Sequence, residues 1–199
     1  MNFLVIDFEF TQYRRPIGKP RGFFAEIIEI GAVKLCGDSF DVLGEIEDFV
    51  KPHFYPKQAF EAMEYCSITE SDMKKAIDFQ TMLQKIKGLY VPNETYFVSW
   101  SDEDCRVLAR GCERHNMENP ILPEDCLDLA AAYRFWNNDT YTTGLKNAAD
   151  ELGVTDDGHL HAAYDDAAKT GKILKAMLDE GWTVEHYFEE KLNRENIKI

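Results

Sequence analysis

The sequence predicts one α/β domain built on a mixed sheet, and three observations carry that expectation. Strand-like runs come first, helical periodicity dominates later, and one strand–helix unit lies near residues 96–115. Strands followed by helices, with a crossover of that kind, fit a mixed sheet with helices packed on it. At 199 residues the chain can bury one sizeable core, while two full domains would be cramped. We expect a single domain over 1–199, with a core of about 1–182 and a C-terminal tail over 183–199.

The elements follow in order. Residues 3–10 (F-L-V-I-D-F-E-F) open with four apolar residues in a row, the pattern of a strand covered on both faces. Residues 12–24 hold Pro16, Gly18, Pro20 and Gly22 and read as a loop. Residues 27–35 (I-I-E-I-G-A-V-K-L) are rich in β-branched side chains and read as a second strand. A turn at Cys36-Gly37-Asp38-Ser39 leads to a third strand over 42–50, completing an antiparallel meander. After a polar segment, Ser71 or Asp72 caps a helix running to about Lys87, with Ala76, Phe79, Met82, Leu83 and Ile86 on its apolar side. Residues 95–100 form a short buried strand. Helices are expected at about 102–115, 124–135, 144–152 and 163–180, and the tail after about Glu185 is amphipathic at best.

Composition excludes several classes. No apolar run approaches the roughly 20 residues of a membrane helix. No basic segment followed by an apolar stretch opens the chain, so no secretory signal is expected. The five cysteines (Cys36, Cys66, Cys105, Cys112 and Cys126) are odd in number and lack C-x-x-C spacing. They suggest neither a disulfide framework nor a zinc site, and free thiols point to a cytoplasmic location. A net charge of −14 argues against broad, tight binding to a polyanion, but not against an enzyme that grips a few nucleotides through metal ions. The charge is uneven, because Arg14, Arg15, Lys19 and Arg21 share one loop. That loop either reaches over a substrate backbone or is simply solvated.

The acids are the informative residues. Asp7 and Glu9 are two apart on a strand and share a face, with Phe8 and Phe10 on the other. Side by side on a buried strand, two carboxylates repel and are costly to desolvate. A divalent cation turns that cost into binding energy, and hard oxygen ligands suit magnesium or manganese. Two acids at an exposed strand end would give the same D-x-E, so partners must come from elsewhere. Asp104 shares a helical stripe with Val107, Leu108 and Gly111, and Asp166 shares one with Thr170, Ile173 and Met177. Lys169, Lys172 and Lys175 lie largely off the latter stripe. A helix N-terminus favours a carboxylate by about 0.3–1 kcal/mol, less than the several kcal/mol that burying an unpaired charge costs. Asp102 and Asp104 point about 200° apart on a helix, so only one faces the core. Asp102 is placed like an N-cap and Asp104 is the inward acid. A lone His reads first as an ordinary residue, but His161 sits at the lip of the helix that carries Asp166 and can overhang a site built by the acids.

Asp7-Phe8-Glu9, Asp104 and residues 161–166 (H-A-A-Y-D-D) resemble the three motifs of the DEDDh superfamily, the DnaQ-like 3′–5′ exonucleases. The third matches H-x-A-x-x-D in full. Residues 26–33 (E-I-I-E-I-G-A-V) look like the family's second strand, and 143–153 like the helix before the third motif. Residues 5–9 (V-I-D-F-E) and 26–33 are most similar to the KapD-like and histone-mRNA exonuclease branch. Residues 65–69 (Y-C-S-I-T) stand where the family often has L-T-G-I-T, and residues 99–104 are unusually acidic.

The resemblance implies an RNase H-like fold, a mixed five-stranded sheet with helices on both faces. It implies two-metal hydrolysis of phosphodiester bonds at single-stranded RNA or DNA 3′ ends, RNA favoured, releasing nucleoside 5′-monophosphates with two Mg²⁺ or Mn²⁺ ions. In that scheme Asp7 bridges both ions, Glu9 and Asp166 complete the ion that holds the attacking water, and Asp104 serves the second. His161 takes the proton from the nucleophile. Phe10, Thr11 and Trp100 flank the site and offer contacts to substrate. A catalytically weak relative acting as a regulatory binding protein, and a small-nucleotide phosphodiesterase, are the alternatives.

Overall fold

The computed structural model describes residues 1–13, 18–155 and 162–196. Strands β1 (Asn2–Phe10), β2 (Ile27–Leu35) and β3 (Val42–Phe49) form the antiparallel meander. β4 (Thr95–Ser99) and β5 (Cys126–Asp128) extend the sheet in parallel on the other side of β1, giving the order β3-β2-β1-β4-β5. The helices are α1 (Ala59–Tyr65), α2 (Glu70–Lys75), α3 (Phe79–Leu89), α4 (Glu103–Arg114), α5 (Leu129–Trp136), α6 (Leu145–Glu151), α7 (Ala163–Asp179) and α8 (Val184–Asn196). This is the RNase H-like arrangement that the resemblance implied.

The two faces of β1 follow from its alternation. Leu4, Ile6 and Phe8 pack with Met82, Leu83 and Ile86 of α3 and with Val107 and Leu108 of α4. Phe3 and Val5 point the other way, toward Ile173, Leu174 and Met177 of α7 and Leu129 of α5. Burying each such side chain contributes about 1.5–3 kcal/mol, so β1 is held from both sides. α8 also packs on the second face, through Val184 and Tyr187. No helix among the described residues is long and apolar enough to cross a membrane.

Three elements differ from expectation. The helix expected from Ser71 or Asp72 to Lys87 is two helices. Thr69 caps the first in a reciprocal box with Asp72, and Asp78 caps the second by accepting the Thr81 N–H. Between them Ala76 is extended (ψ 139°), and Ile77 exchanges backbone hydrogen bonds with Phe49 and Lys51. Those two bonds beyond β3 break a helix whose apolar spacing runs on through the gap. The helix expected at 124–135 is a short 3-10 turn, then β5, then α5, because Cys126 and Leu127 complete the parallel ladder with Phe97 and Val98. The polar segment before residue 70 contains α1, whose Ala59, Ala62 and Met63 are buried against Ile28.

Candidate active site

β1 carries Asp7 and Glu9 to the end of the sheet where β2 begins and α7 starts. Asp7 pairs with Gly31 and Glu9 with Glu29 across the antiparallel ladder. The first turn of α7 lies against Gly31, close enough that only glycine fits, and this brings Asp166 over the β1 acids. One carboxylate oxygen from each of Asp7, Glu9 and Asp166 lies within 4.8 Å of the others. Among the described residues this is the one group of three or more such ligands.

Asp104 enters from α4. The parallel pairing of β1 with β4 runs only to Val5 and Val98, so the N–H of Phe8 lies beyond the ladder. It donates instead to Asp104 Oδ1 at 3.0 Å. Asp104 is 5% exposed, as its apolar stripe requires. Asp102 does occupy the N-cap position, but its side chain caps no N–H. It accepts from Arg106 Nη2 at 2.7 Å, while Ser101 Oγ accepts the Glu103 N–H. The cap expected of Asp102 is absent because its own backbone is already helical, with φ −71° and ψ −5°.

Charge in the site is under strain. Burial pushes the Asp7 carboxyl well above its ordinary range, and Asp104, Glu9 and Asp166 add to the effect. Burial raises Asp104 to about 7, although the Phe8 N–H opposes the shift. Glu29, which the sequence reading passed over, is raised to about 7 by burial and by Glu9 opposite, against the Ala163 N–H that it accepts. Its signal was the lone acid in an apolar strand, but only the register shows that it faces Glu9.

Two other neighbours were also missed. The Cys66 thiol donates to Glu9 Oε2 at 3.0 Å. Lys169, expected off the apolar stripe, is buried at 3% exposure and bonds Asp166 Oδ1 at 3.1 Å. At three residues' spacing its stem follows the helix surface back to the acid.

The expected substrate contacts divide. Phe10 lines a cavity of about 190 Å³ with Glu9, Ala62, Tyr65 and Cys66. Trp100 is half-buried and donates through Nε1 to the Thr143 carbonyl at 3.2 Å. Thr11 is fully buried, and its hydroxyl accepts the Glu26 N–H at 2.9 Å, so it braces the loop instead of facing the cavity. Ser67, at the family's glycine position, takes φ 58°, so the left-handed turn forms without glycine. His161, His159, Arg14 and Arg15 lie outside the described residues.

The exonuclease family model RNase_T matches residues 4–174. The "Probable 3'-5' exonuclease KapD" of Bacillus subtilis is 32% identical over 178 residues, covering 88% of this chain and 84% of that protein. The Xenopus laevis protein "ERI1 exoribonuclease 2" is 28% identical over 98% of this chain, which spans 31% of that longer protein. Among solved structures, the nuclease domain of 3'hExo, a DEDDh family member bound to rAMP, superposes with a TM-score of 0.78 at 22% identity, over 90% of this chain and 92% of that one.

Proposed function

Starting from the fact that the chain belongs to the RNase_T exonuclease family and is a DEDDh 3′–5′ exonuclease, an enzyme acting on nucleic acid, we propose how it acts and on what. It removes nucleotides one at a time from the 3′ end of single strands, RNA in preference to DNA, as nucleoside 5′-monophosphates. The exoribonuclease relative and the rAMP held by the structural neighbour support the choice of RNA. Five free cysteines support a reducing compartment such as the cytoplasm.

The observation that carries the reading is the convergence of Asp7, Glu9 and Asp166 within 4.8 Å. Carboxyls this close and this buried either keep protons or neutralise one another around a cation. A hard divalent ion, Mg²⁺ or Mn²⁺, fits the all-oxygen donor set. Asp7, Glu9, Asp104 and Asp166 would hold two such ions. When bound, the ions supply an activated water and stabilise the leaving 3′-oxygen.

The rest falls to the chain. His161, two positions ahead of α7 in the sequence, accepts the proton of the attacking water. The cavity beside Phe10 and Tyr65 receives the terminal nucleotide, and Tyr65, 51% exposed, offers a ring to its base. Lys169 and the Phe8 N–H hold Asp166 and Asp104 in place. Ala163 N–H and Glu29 tie the start of α7 to β2.

Matched RNA and DNA single strands labelled at the 5′ end test this with Mg²⁺ and a resolved product ladder. The expected result is a ladder shortening by single nucleotides from the 3′ end, faster on RNA, and abolished by chelator. Cleavage that persists in excess chelator, or internal cuts, would overturn it.

A further inference from the structure

We propose that a second groove, away from the acid cluster, binds the single strand upstream of the nucleotide being removed. The inference rests on the exonuclease reading above and extends it to substrate length. The groove has a volume of about 720 Å³, and Lys51, His53, Asp78, Phe79, His115 and Met117 are among the residues that line it.

Lys51 lines this groove and Arg114 stands beside it, although the molecule as a whole is acidic. The chain as a whole carries −14. Here Lys51, His53 and His115 meet Arg114, whose guanidinium lies 4.9 Å from the Phe24 ring and 5.5 Å from the Phe54 ring. Lys19 stands 5.4 Å from Phe23, and Phe23 packs 5.1 Å from Tyr55. Of the acids, Asp78 belongs to the lining and is directed to the Thr81 N–H, which it accepts at 2.7 Å, while Glu113 pairs with Arg110. Cations interleaved with aromatic rings suit a phosphate backbone whose bases stack without sequence preference.

The groove is also fixed to the catalytic strand. Buried Glu26 accepts the backbone N–H groups of His53, Phe54 and Tyr55 at 2.6, 2.8 and 2.5 Å. The backbone of Glu26 is bonded in both directions to Thr11, at 2.8 and 2.9 Å. Thr11 is two residues beyond Glu9. A buried carboxylate that satisfies three consecutive N–H groups holds a segment rigidly. The rim of the groove is thereby preorganised relative to the acids. His115 is stacked flat on Phe79, with ring centroids 4.3 Å apart.

The test compares a dinucleotide with a strand of about 16 nucleotides. Lys51→Gln/Arg114→Gln is measured in Mg²⁺ beside the unaltered protein and Lys51→Gln alone. For the double variant we expect unchanged kcat on both substrates, unchanged KM on the dinucleotide, and KM about tenfold higher on the long strand. The slope of log KM against log salt on that strand should fall by about 1.4, at about 0.7 per phosphate contact. Lys51→Gln, an exposed change, should give about half the slope effect, and it decides the matter if the double variant fails to fold. Equal KM on the long strand, or an equal rise on both substrates, overturns the groove. If the unaltered protein cuts neither substrate, the exonuclease reading fails by itself. Anisotropy of a labelled strand in chelator then tests the groove alone: weaker binding by the variants supports it, and equal binding overturns it.

Discussion

Gly31 lies directly beneath the peptide that joins Ala163 to Tyr164. A β-carbon on residue 31 would fall 2.1 Å from both the Ala163 carbonyl carbon and the Tyr164 nitrogen. Both contacts are backbone, so no side-chain rotation relieves them. Gly31 is also the cross-strand partner of Asp7. One missing methyl group therefore sets the height of α7, and with it Asp166, above the first acid. Gly31→Ala should destabilise the fold by about 1–3 kcal/mol. It should also lower kcat/KM about 10²-fold, because a displacement of about 1 Å is enough to cost that much. Thermal melting and single-turnover rates on the folded fraction check the two effects separately.

Asp104 and Asp102 should behave in opposite ways. Asp104→Asn keeps an oxygen for the Phe8 N–H and removes a charge that burial disfavours. Cleavage should nearly vanish while the melting temperature holds or rises. Asp102→Ala breaks only an exposed pair with Arg106, worth about 0.3–0.5 kcal/mol, and should leave activity per folded molecule intact. An active Asp104→Asn enzyme beside a dead but folded Asp102→Ala enzyme would exchange their roles.

His161 gives a rate prediction. His161→Ala should lower kcat by about 10²–10⁴-fold, with metal binding retained when read by titration calorimetry. His159→Ala should change kcat little. The reverse ranking would move the proton acceptor to residue 159.

The metal-free protein should lose stability as pH rises. Asp7, Asp104 and Glu29 all have folded pKa values above the usual carboxylate range, the latter two at about 7. Between about pH 4 and 7 the folded state then binds more protons than the unfolded chain, so raising pH favours unfolding. Melting temperature should fall across that window in chelator and recover at pH 7 with added Mg²⁺. A melting temperature in chelator that stays flat or rises from pH 4 to 7 would show that these acids are not held protonated.

The sequence disclosed what repeats along one element and hid what depends on pairing. β1 was legible because four apolar residues precede an alternating pair of acids. α4 and α7 were legible because Asp104 and Asp166 sit on apolar stripes. β5 was hidden because three residues leave no period, and its partner lies almost 30 positions away. The break at 76–78 was hidden because Phe79 and Met82 continue the stripe that Ala76 starts, while the bonds that unwind it come from Phe49 and Lys51. Glu29 and Cys66 belong to the same class. They are recognisable only once register or packing sets them beside Glu9, whereas the Lys169 contact with Asp166 is local to α7 and its burial is what docking adds.

The seating of α7 on Gly31 also has a consequence in time. During synthesis Asp7 and Glu9 leave the ribosome early, and β1 can zip to β2 and β3 through short-range contacts. Asp166 follows only after most of the polypeptide, on the order of ten seconds later at ordinary elongation rates. Until α7 docks, the nascent chain holds Asp7, Glu9 and Asp104 of the site but lacks Asp166. Closure of the site therefore waits on α7, the last of its elements to be synthesised.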